Sequence, residues 1–316
     1  MNINHILVVM TEPKSIFLEI LFKYFSSKNF KSNTKKISIV GNISLLKKEI
    51  KKKKFNIKLN EVLDIKKSRK NFINLIDIKI SKKSRHIDFS RYISDCFDKS
   101  LSILKKNKNI ALLNGPVNKK TFLKKKYLGI TEYLAKKTNS KNPVMIIYNK
   151  KLSVSPITTH LPIKYVSKNI KKSKIIKKVK SINSFFIKNL NKKPKIALLG
   201  LNPHCETIQK KGEEQKEIIP AIKQLRSERL YITGPFSADT FFIKKNIDYY
   251  DVVVGMYHDQ VLTPLKTLYN FDAINITIGL PFIRVSPDHG PNTMMYGKNK
   301  SDPSSIFCAM DFFNKI

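Results

Sequence analysis

The 316-residue sequence lacks features that define several common protein classes. No apolar run approaches the length of about 20 residues that a membrane-spanning helix needs. The first residues hold one short apolar run, with no lysine or arginine before it and no small-residue cleavage site, which predicts a buried strand rather than a signal peptide. We therefore expect a cytoplasmic protein without a membrane partner.

Cysteine and glycine motifs are also scarce. The three cysteines, Cys96, Cys205 and Cys308, are scattered and odd in number. They fit neither a disulfide framework nor a local zinc knuckle, as is typical of a chain in a reducing compartment. The G-x-G-x-x-G fingerprint of dinucleotide-binding turns is absent. No residue can therefore be assigned to a nucleotide cofactor from a motif.

Arginine is rare among the basic residues. The chain has 61 lysines and arginines against 23 acidic residues, a formal net charge of +38, and only six of the 61 are arginine. Proteins that read base edges depend heavily on bidentate arginine contacts. The lysines are spread over many segments together with abundant asparagine and isoleucine, as drift in an A- and T-rich coding sequence produces, and we expect them on solvated faces. We therefore predict no specific nucleic-acid partner, although weak binding to polyanions at low salt follows from the charge.

Apolar runs and helical patterns alternate along the chain. Residues 6–10, 109–119 and 251–260 predict buried strands, the last two running into loops, and 16–25 and 93–106 have helical periodicity. A lysine-rich helix is predicted near 165–190. This alternation predicts an α/β fold with a mostly parallel sheet covered by helices on both faces. The length exceeds that of a usual single core, so we expect two closely packed domains.

Polar residues with catalytic chemistry follow several predicted strands. His204 ends the run at 195–204, His258 follows the strand that begins at 251, and His160 lies in PITTHLP. Ligands bind beyond the carboxyl ends of the strands in α/β sheets, so these positions predict a catalytic cleft. A lone histidine after a strand is more often an ordinary loop residue, and the intervals between these three carry no local metal signature.

The segments NGPVNK, TTHLP, GLNPH, GPFSADTFF, MYHDQ and NITIGLPFIRVSPDHG occur in this order. With them the sequence resembles the 4-hydroxythreonine-4-phosphate dehydrogenase family of pyridoxal phosphate biosynthesis. The register is nearly unbroken from about residue 110 to 290. The combination of MYHDQ and NITIGLPFIR at this separation is specific, whereas NGPVNK alone is not.

The resemblance implies a fold similar to isocitrate and isopropylmalate dehydrogenases. We expect a discontinuous first domain of residues 1–128 and 290–316, and a second domain of residues 129–289. It also implies a homodimer, with an active site in the interdomain cleft that takes residues from both subunits. His160, His204 and His258 correspond to the ligands of a divalent metal, either zinc, magnesium or cobalt. Three histidines and an open position form a catalytic arrangement for zinc-like ions.

The resemblance further implies the reaction and the substrate contacts. The family oxidises 4-phosphohydroxy-L-threonine with NAD or NADP, and the product decarboxylates to 3-amino-2-oxopropyl phosphate. Thr131, Lys266, Asn275 and Arg284 correspond to substrate-contacting positions, and Lys266 is also a candidate catalytic residue. Lysine and arginine supply positive charge for a phosphate and a carboxylate. Asp259, beside His258, is a candidate acceptor that orients the ligand imidazole.

The sequence departs from the family pattern at several loops. TEPKSIFLE at 11–19 replaces a glycine-rich opening turn, DHGPN replaces DHGTA, and the loop at 205–214 has lost glycines. GITE stands where the family has GHTE, so Ile130 occupies the position of a substrate-contacting histidine. Three interpretations stay open: an impaired enzyme, a dehydrogenase of another phosphorylated four-carbon hydroxy acid, or a catalytically silent basic binding protein. His289 is expected to have a structural role in a turn.

Overall fold

The computed structural model of the chain describes residues 2–80, 89–118, 121–123, 126–206, 212–270, 272–288 and 290–316. The strands in these ranges are β1 (His5–Val9), β2 (Lys36–Gly41), β3 (Leu59–Glu61), β4 (Ile73–Asp77), β5 (Ile110–Asn114), β6 (Val144–Tyr148), β7 (Ser153–Pro156), β8 (Ile196–Leu199), β9 (Ile232–Phe236), β10 (Val252–Gly255), β11 (Ile274–Ile278) and β12 (Arg284–Pro287).

The helices are α1 (Phe17–Phe25), α2 (Lys28–Lys31), α3 (Ile43–Lys52), α4 (Phe89–Lys106), α5 (Ile130–Lys137), α6 (Val166–Asn169), α7 (Lys172–Leu190), α8 (Ile219–Ser227), α9 (Ala238–Phe241), α10 (Lys244–Tyr249), α11 (His258–Tyr269) and α12 (Ser304–Lys315). None of the helices in the described ranges has the length and apolar character needed to cross a membrane.

The chain divides into two compact units. Unit 1 consists of Met1–Thr138 and Leu280–Ile316, and unit 2 of Asn139–Gly279. The sequence places the two borders after residues 128 and 289.

Unit 1 is built on parallel strands in the order β3-β4-β2-β1-β5-β12. All five residues of β1 and all five of β5 are buried, as expected of parallel strands that are covered on both faces. Helix α4 packs Tyr92, Phe97 and other apolar side chains into the core cluster of this unit. The buried runs recognised in the sequence therefore form the centre of the sheet.

Unit 2 carries strands in the order β11-β6-β7-β10-β8-β9. Strands β7, β10, β8 and β9 are parallel neighbours, whereas β6 runs antiparallel to both β11 and β7. Val154, Val253 and Leu262 belong to one buried cluster between the sheet and α11. The expected mixed α/β architecture with a mostly parallel sheet is confirmed.

Two local predictions were wrong. Residues after the β10 strand were expected to form a loop, but His258 begins the 12-residue helix α11. Tyr257 provides no side-chain cap and Pro264 lies inside the helix, so the usual start signal is missing and a breaker is present. The helix expected near 165–190 is divided into α6 and α7.

Candidate functional site

His160 and His258 lie side by side at the carboxyl ends of adjacent strands in unit 2. The register pairs Pro156 of β7 with Gly255 of β10, and Thr158 extends the contact by donating both its backbone N–H (3.1 Å) and its hydroxyl (2.8 Å) to the carbonyl of Met256. The two imidazole rings that follow have centroids 5.6 Å apart and planes tilted by 37°. Strand pairing thus brings together two of the three predicted metal ligands.

The ring of His258 is oriented by its neighbour in the chain. Its Nδ1 lies 2.7 Å from Oδ1 of Asp259. A carboxylate can only accept, so Nδ1 carries the proton and Nε2 keeps its lone pair for another partner. This is the hydrogen bond expected from the sequence.

His204 lies in a short turn that follows β8. It belongs to the 3-10 turn Pro203–Cys205, has a φ of 56°, and exposes 74% of its side chain. Its Nδ1 is 3.8 Å from Oδ2 of Asp239, which follows β9 in the first turn of α9. In the order β7-β10-β8-β9, four neighbouring strands therefore each lead into a loop or helix start that carries a histidine or an aspartate.

A buried carboxylate shapes the loop that leads to His204. Glu214 is fully buried, and its Oε1 accepts hydrogen bonds from the backbone N–H groups of Leu201 (2.8 Å) and Asn202 (2.9 Å). Its Oε2 accepts a further bond from Nδ2 of Asn202 at 2.9 Å. Gly200 is needed beside it, because a Cβ there would lie 2.6 Å from Sγ of Cys205.

Gln260 joins the loops after β8 and β10. Its Oε1 accepts from the backbone N–H of Met256 at 2.7 Å, and its Nε2 donates to the carbonyl of Gly200 at 2.8 Å. Both bonds are buried, where an unpaired polar group costs more than at the surface. Gln260 thereby connects the backbone between β8 and His204 to the backbone between β10 and His258.

The described residues of one chain do not assemble the complete set of predicted ligands. No group of three His, Cys, Asp or Glu side chains in the described ranges is arranged to hold a metal ion. His160 and His258 are together, and the coordination of a metal by them and by His204 stays a prediction. Burial raises the pKa of the thiol of Cys205, which follows His204 in the chain.

Two predicted substrate contacts belong to unit 2. Lys266 is an exposed residue of α11, about 12 Å along the helix axis from His258 by the usual rise per residue. Asn275 lies on β11 opposite Ile147 of β6. Its side-chain oxygen is buried without a hydrogen-bond partner among the described residues, so the amide has an unused acceptor.

Arg284, in unit 1, is the most deeply buried of the predicted substrate contacts. Only 1% of it is exposed, and its Nε donates to Oδ1 of Asn114 at 2.7 Å. Burial lowers the pKa of the guanidinium to about 9, although the carboxylate of Glu132 opposes this shift. The group therefore keeps its positive charge at neutral pH. Oε2 of Glu132 is also buried, with no hydrogen-bond partner among the residues described.

The first turn of α5 carries the other two positions singled out in unit 1. Ile130 begins this helix and packs its partly buried side chain against the core cluster that contains Phe97 and Tyr133. Thr131 follows it in the same turn. The isoleucine therefore has a packing role that histidine could not fully replace. His289 lies outside the described residues.

Sequence reasoning missed three residues that support these loops. They are Asp239, which lies beside His204, and Glu214 and Gln260, which bind the backbone of the loop after β8. Asp239 could have been found, since it lies in the segment GPFSADTFF, three residues after the end of β9. The partners of Glu214 and Gln260 are backbone atoms distant in sequence, and no local pattern marks them.

Comparisons with known proteins agree with one another. The family model described as "Pyridoxal phosphate biosynthetic protein PdxA" matches residues 33–313. The 4-hydroxythreonine-4-phosphate dehydrogenase of Sulfurihydrogenibium sp. (strain YO3AOP1) is 39% identical over 311 residues, 96% of this chain and 95% of that protein. The solved structure of the enzyme of that name from Klebsiella pneumoniae has a TM-score of 0.83 and 27% identity, covering 98% of both chains. An isocitrate dehydrogenase from Methylococcus capsulatus, at 8% identity and a TM-score of 0.53 over 98% of this chain and 85% of that one, shares the fold alone.

Proposed function

The chain belongs to the 4-hydroxythreonine-4-phosphate dehydrogenase family of pyridoxal phosphate biosynthesis, and we propose that it oxidises 4-phosphohydroxy-L-threonine at a site built on His160 and His258. The family is one of oxidoreductases, and its reaction requires a pyridine nucleotide, which accepts the carbon-bound hydrogen of the substrate as hydride. Assays with NAD and with NADP distinguish the two nucleotides. The observation that carries the proposal is the pairing of two imidazole rings 5.6 Å apart at adjacent strand ends.

The imidazole pair fits a divalent cation. Neutral imidazole nitrogens are common ligands of zinc and cobalt, and the bond from His258 to Asp259 leaves Nε2 of His258 as the coordinating atom. We propose that His160 and His258 hold the ion together with His204, one of them from a partner subunit. A bound zinc-like ion supplies Lewis acidity, which lowers the pKa of a substrate hydroxyl beside it.

Positive side chains match the charge of the substrate. Lys266 is an exposed residue of α11, and we propose that its ammonium group binds the phosphate. Arg284 keeps a charged guanidinium inside unit 1, and a guanidinium suits a bidentate contact with a carboxylate or phosphate. Thr131 and Asn275 complete the proposed contacts, the latter through the buried side-chain oxygen that has no partner in the described residues.

The second half of the reaction follows from the first. Oxidation of the secondary alcohol gives a β-keto acid. The carbon–carbon bond to the carboxylate breaks, carbon dioxide leaves, and the electron pair that remains takes up a proton to give 3-amino-2-oxopropyl phosphate. Fixed positive charge near the new carbonyl stabilises the negative charge that develops there, and Lys266 is the proposed residue of this chain for that role.

A homodimer with a shared site is part of the proposal. Ile163, three residues after His160, exposes 75% of its surface. Exposed single apolar residues are common, so the support comes from its place beside a predicted ligand. In a dimer, the partner subunit would also supply the third metal ligand, which the described residues of one chain do not place beside His160 and His258.

The decisive experiment measures metal and turnover on the same preparation. The purified chain is analysed for bound metal, and NAD and NADP reduction is followed with 4-phosphohydroxy-L-threonine after removal and after return of zinc, cobalt or magnesium. We expect turnover that depends on the metal, with one nucleotide preferred. A preparation that binds no divalent ion and reduces neither nucleotide would refute the proposal.

A related substrate is the second candidate, and Ile130 favours it. An apolar side chain packed against the core of unit 1 can neither donate nor accept a hydrogen bond, so one polar contact with the substrate is lost relative to the family pattern. Oxidation of another phosphorylated four-carbon hydroxy acid, at a higher kcat/KM than 4-phosphohydroxy-L-threonine, would establish this alternative.

A further inference from the structure

A basic cavity lies at the amino-terminal edge of the unit 1 sheet. Its volume is about 580 Å³, within the range of about 300–1,000 Å³ that small-molecule sites occupy. Strands β1, β2 and β5 begin here, and their register sets His5 between Lys36 and Ile110. None of the residues that line this cavity is assigned to the dehydrogenase reaction.

Four lysines from three segments of the chain line this cavity. Lys36 begins β2, Lys66 lies in the 3-10 turn Ile65–Lys67, Lys106 ends α4, and Lys108 precedes β5. No aspartate or glutamate is among the lining residues. Within the described part of the chain, none of these four ammonium groups is paired with a carboxylate.

Asp64, two residues before Lys66 in the chain, does not line the cavity. Oδ1 of Asp64 accepts a hydrogen bond from the backbone N–H of Lys66 at 2.9 Å, so this acid caps the turn. His5 adds no negative charge. Burial, together with the charge of Lys36, lowers the pKa of His5 to about 4, and its Nε2 is 2.8 Å from the hydroxyl of Ser38.

Two isoleucines and three asparagines complete the lining of the cavity. Ile65 and Ile110 are only 7% and 4% exposed, so they leave little apolar surface for a ligand to cover. The asparagines at positions 4, 107 and 109 provide amide donors and acceptors. A nucleobase can use both kinds of group, whereas a bare inorganic anion only accepts.

The high lysine content of the chain does not by itself explain why four lysines line one cavity. Lysine accounts for four of the ten lining residues but for only 55 of the 316 residues of the chain. Lys106 has an ordinary role as a cation at a helix C-terminus. The other three have no such role, and like charges gathered around one concave space disfavour each other unless an anion lies between them.

We propose that this cavity binds a small organic polyphosphate of the size of a nucleoside triphosphate. Four ammonium groups match the three to four negative charges of a triphosphate, and the asparagine amides can donate to and accept from the base. A cavity of about 580 Å³ fits a small molecule, whereas a nucleic-acid strand needs a groove that continues beyond a few nucleotides.

Calorimetric titration of the full chain with ATP at physiological salt tests the proposal with two variants of equal charge. The first replaces the cavity lysines (Lys36→Gln, Lys66→Gln, Lys108→Gln), and the second replaces exposed lysines of neighbouring segments (Lys58→Gln, Lys67→Gln, Lys105→Gln). We expect saturable binding that is weakened at least tenfold in the first variant and by less than twofold in the second. Equal loss in both variants, no loss in either, or no saturable binding to the unaltered chain would overturn the proposal.

Competing probes define the ligand class. ATP should bind more tightly than AMP, because the phosphates meet the lysines, and more tightly than tripolyphosphate, because the asparagine amides contact the base. Tripolyphosphate binding as tightly as ATP would refute the organic part of the proposal. A single-stranded oligonucleotide that binds more tightly than ATP, and loses affinity only in the cavity variant, would identify a nucleic-acid surface instead.

Discussion

Asp259 and His258 are adjacent in the chain and still form a hydrogen bond of 2.7 Å between Oδ1 and Nδ1. Side chains one residue apart on a helix usually point in different directions, and this pair meets because His258 is the first residue of α11. The carboxylate fixes the tautomer of the imidazole and leaves Nε2 as its free nitrogen. Asp259 itself is largely exposed, with 79% of its side chain accessible.

Removal of this acceptor should weaken metal binding. In Asp259→Ala we expect the affinity for zinc or cobalt to fall by about 10–100-fold, since partners that orient a ligand imidazole have effects of this size. Metal titration monitored by turnover gives the comparison. Asp248→Ala, an exposed position on α10, is the control and should match the unaltered chain. Equal affinities in both variants would contradict the role of Asp259.

Each histidine of the proposed ligand set can be tested separately. His160→Ala and His258→Ala should each lower bound metal and reduce kcat by about a thousandfold or more, because a Lewis acid contributes several kcal/mol to such a reaction. His204→Ala should also abolish turnover if it is the third ligand. Thermal unfolding serves as the control for folding. Full activity in His204→Ala, with metal retained, would show that His204 is not a ligand and would leave His160 and His258 as the proposed ligands.

The loop that carries His204 depends on Glu214. Glu214→Gln keeps the shape but replaces a buried carboxylate that accepts three hydrogen bonds, so we expect a loss of about 1–3 kcal/mol in the free energy of unfolding. Hydrogen exchange of residues 200–206 should become faster. The matched control is Glu213→Gln, whose carboxylate is less buried and accepts hydrogen bonds from the side chains of Ser167 and Asn202. Similar effects of both variants would refute the special role of Glu214.

Acid sensitivity should arise partly from Glu19 in unit 1. Burial alone would raise its pKa, but hydrogen bonds from Lys53 and Ser301 outweigh this and lower the pKa from 4.5 to about 2. A carboxyl with a depressed folded pKa stabilises the fold above its unfolded pKa and loses this effect as the pH falls towards the folded value. Urea unfolding should show Glu19→Gln less stable by about 3–5 kcal/mol at neutral pH, with a difference that shrinks between pH 5 and 2. The exposed control Glu61→Gln should show no such trend.

Ile130 tests which substrate the site prefers. A hydrogen bond to a charged group is worth roughly 1.5–3 kcal/mol, so Ile130→His should raise kcat/KM on 4-phosphohydroxy-L-threonine by about ten- to a hundredfold. Some stability should be lost, since the side chain packs in the unit 1 core. Ile130→Leu is the apolar control and should leave kcat/KM unchanged. If the histidine variant gains nothing while another phosphorylated hydroxy acid is oxidised well, the substrate differs.

The strands, and the edge of the sheet that carries the predicted metal ligands, could be predicted because their sequence signals are local. Runs such as β1 and β10 are fully buried, and a parallel sheet places every such run with its carboxyl end at one edge. The nearness of His160 and His258 could not be predicted from the intervals between them, since it depends on which strands are neighbours. The family resemblance supplied that grouping. The start of α11 was missed because Tyr257 gives no capping oxygen and Pro264 argues against a helix.

The connections made by Glu214 and Gln260 have a consequence for the evolution of this chain. Three of their hydrogen bonds end on backbone N–H groups, at Leu201, Asn202 and Met256, and one ends on the backbone carbonyl of Gly200. Every amino acid except proline offers these same backbone groups. Side chains along the two loops can therefore be exchanged over many generations while the histidines keep their places. A genome with strong mutational bias can thus rewrite the surroundings of this site faster than it erodes the site itself.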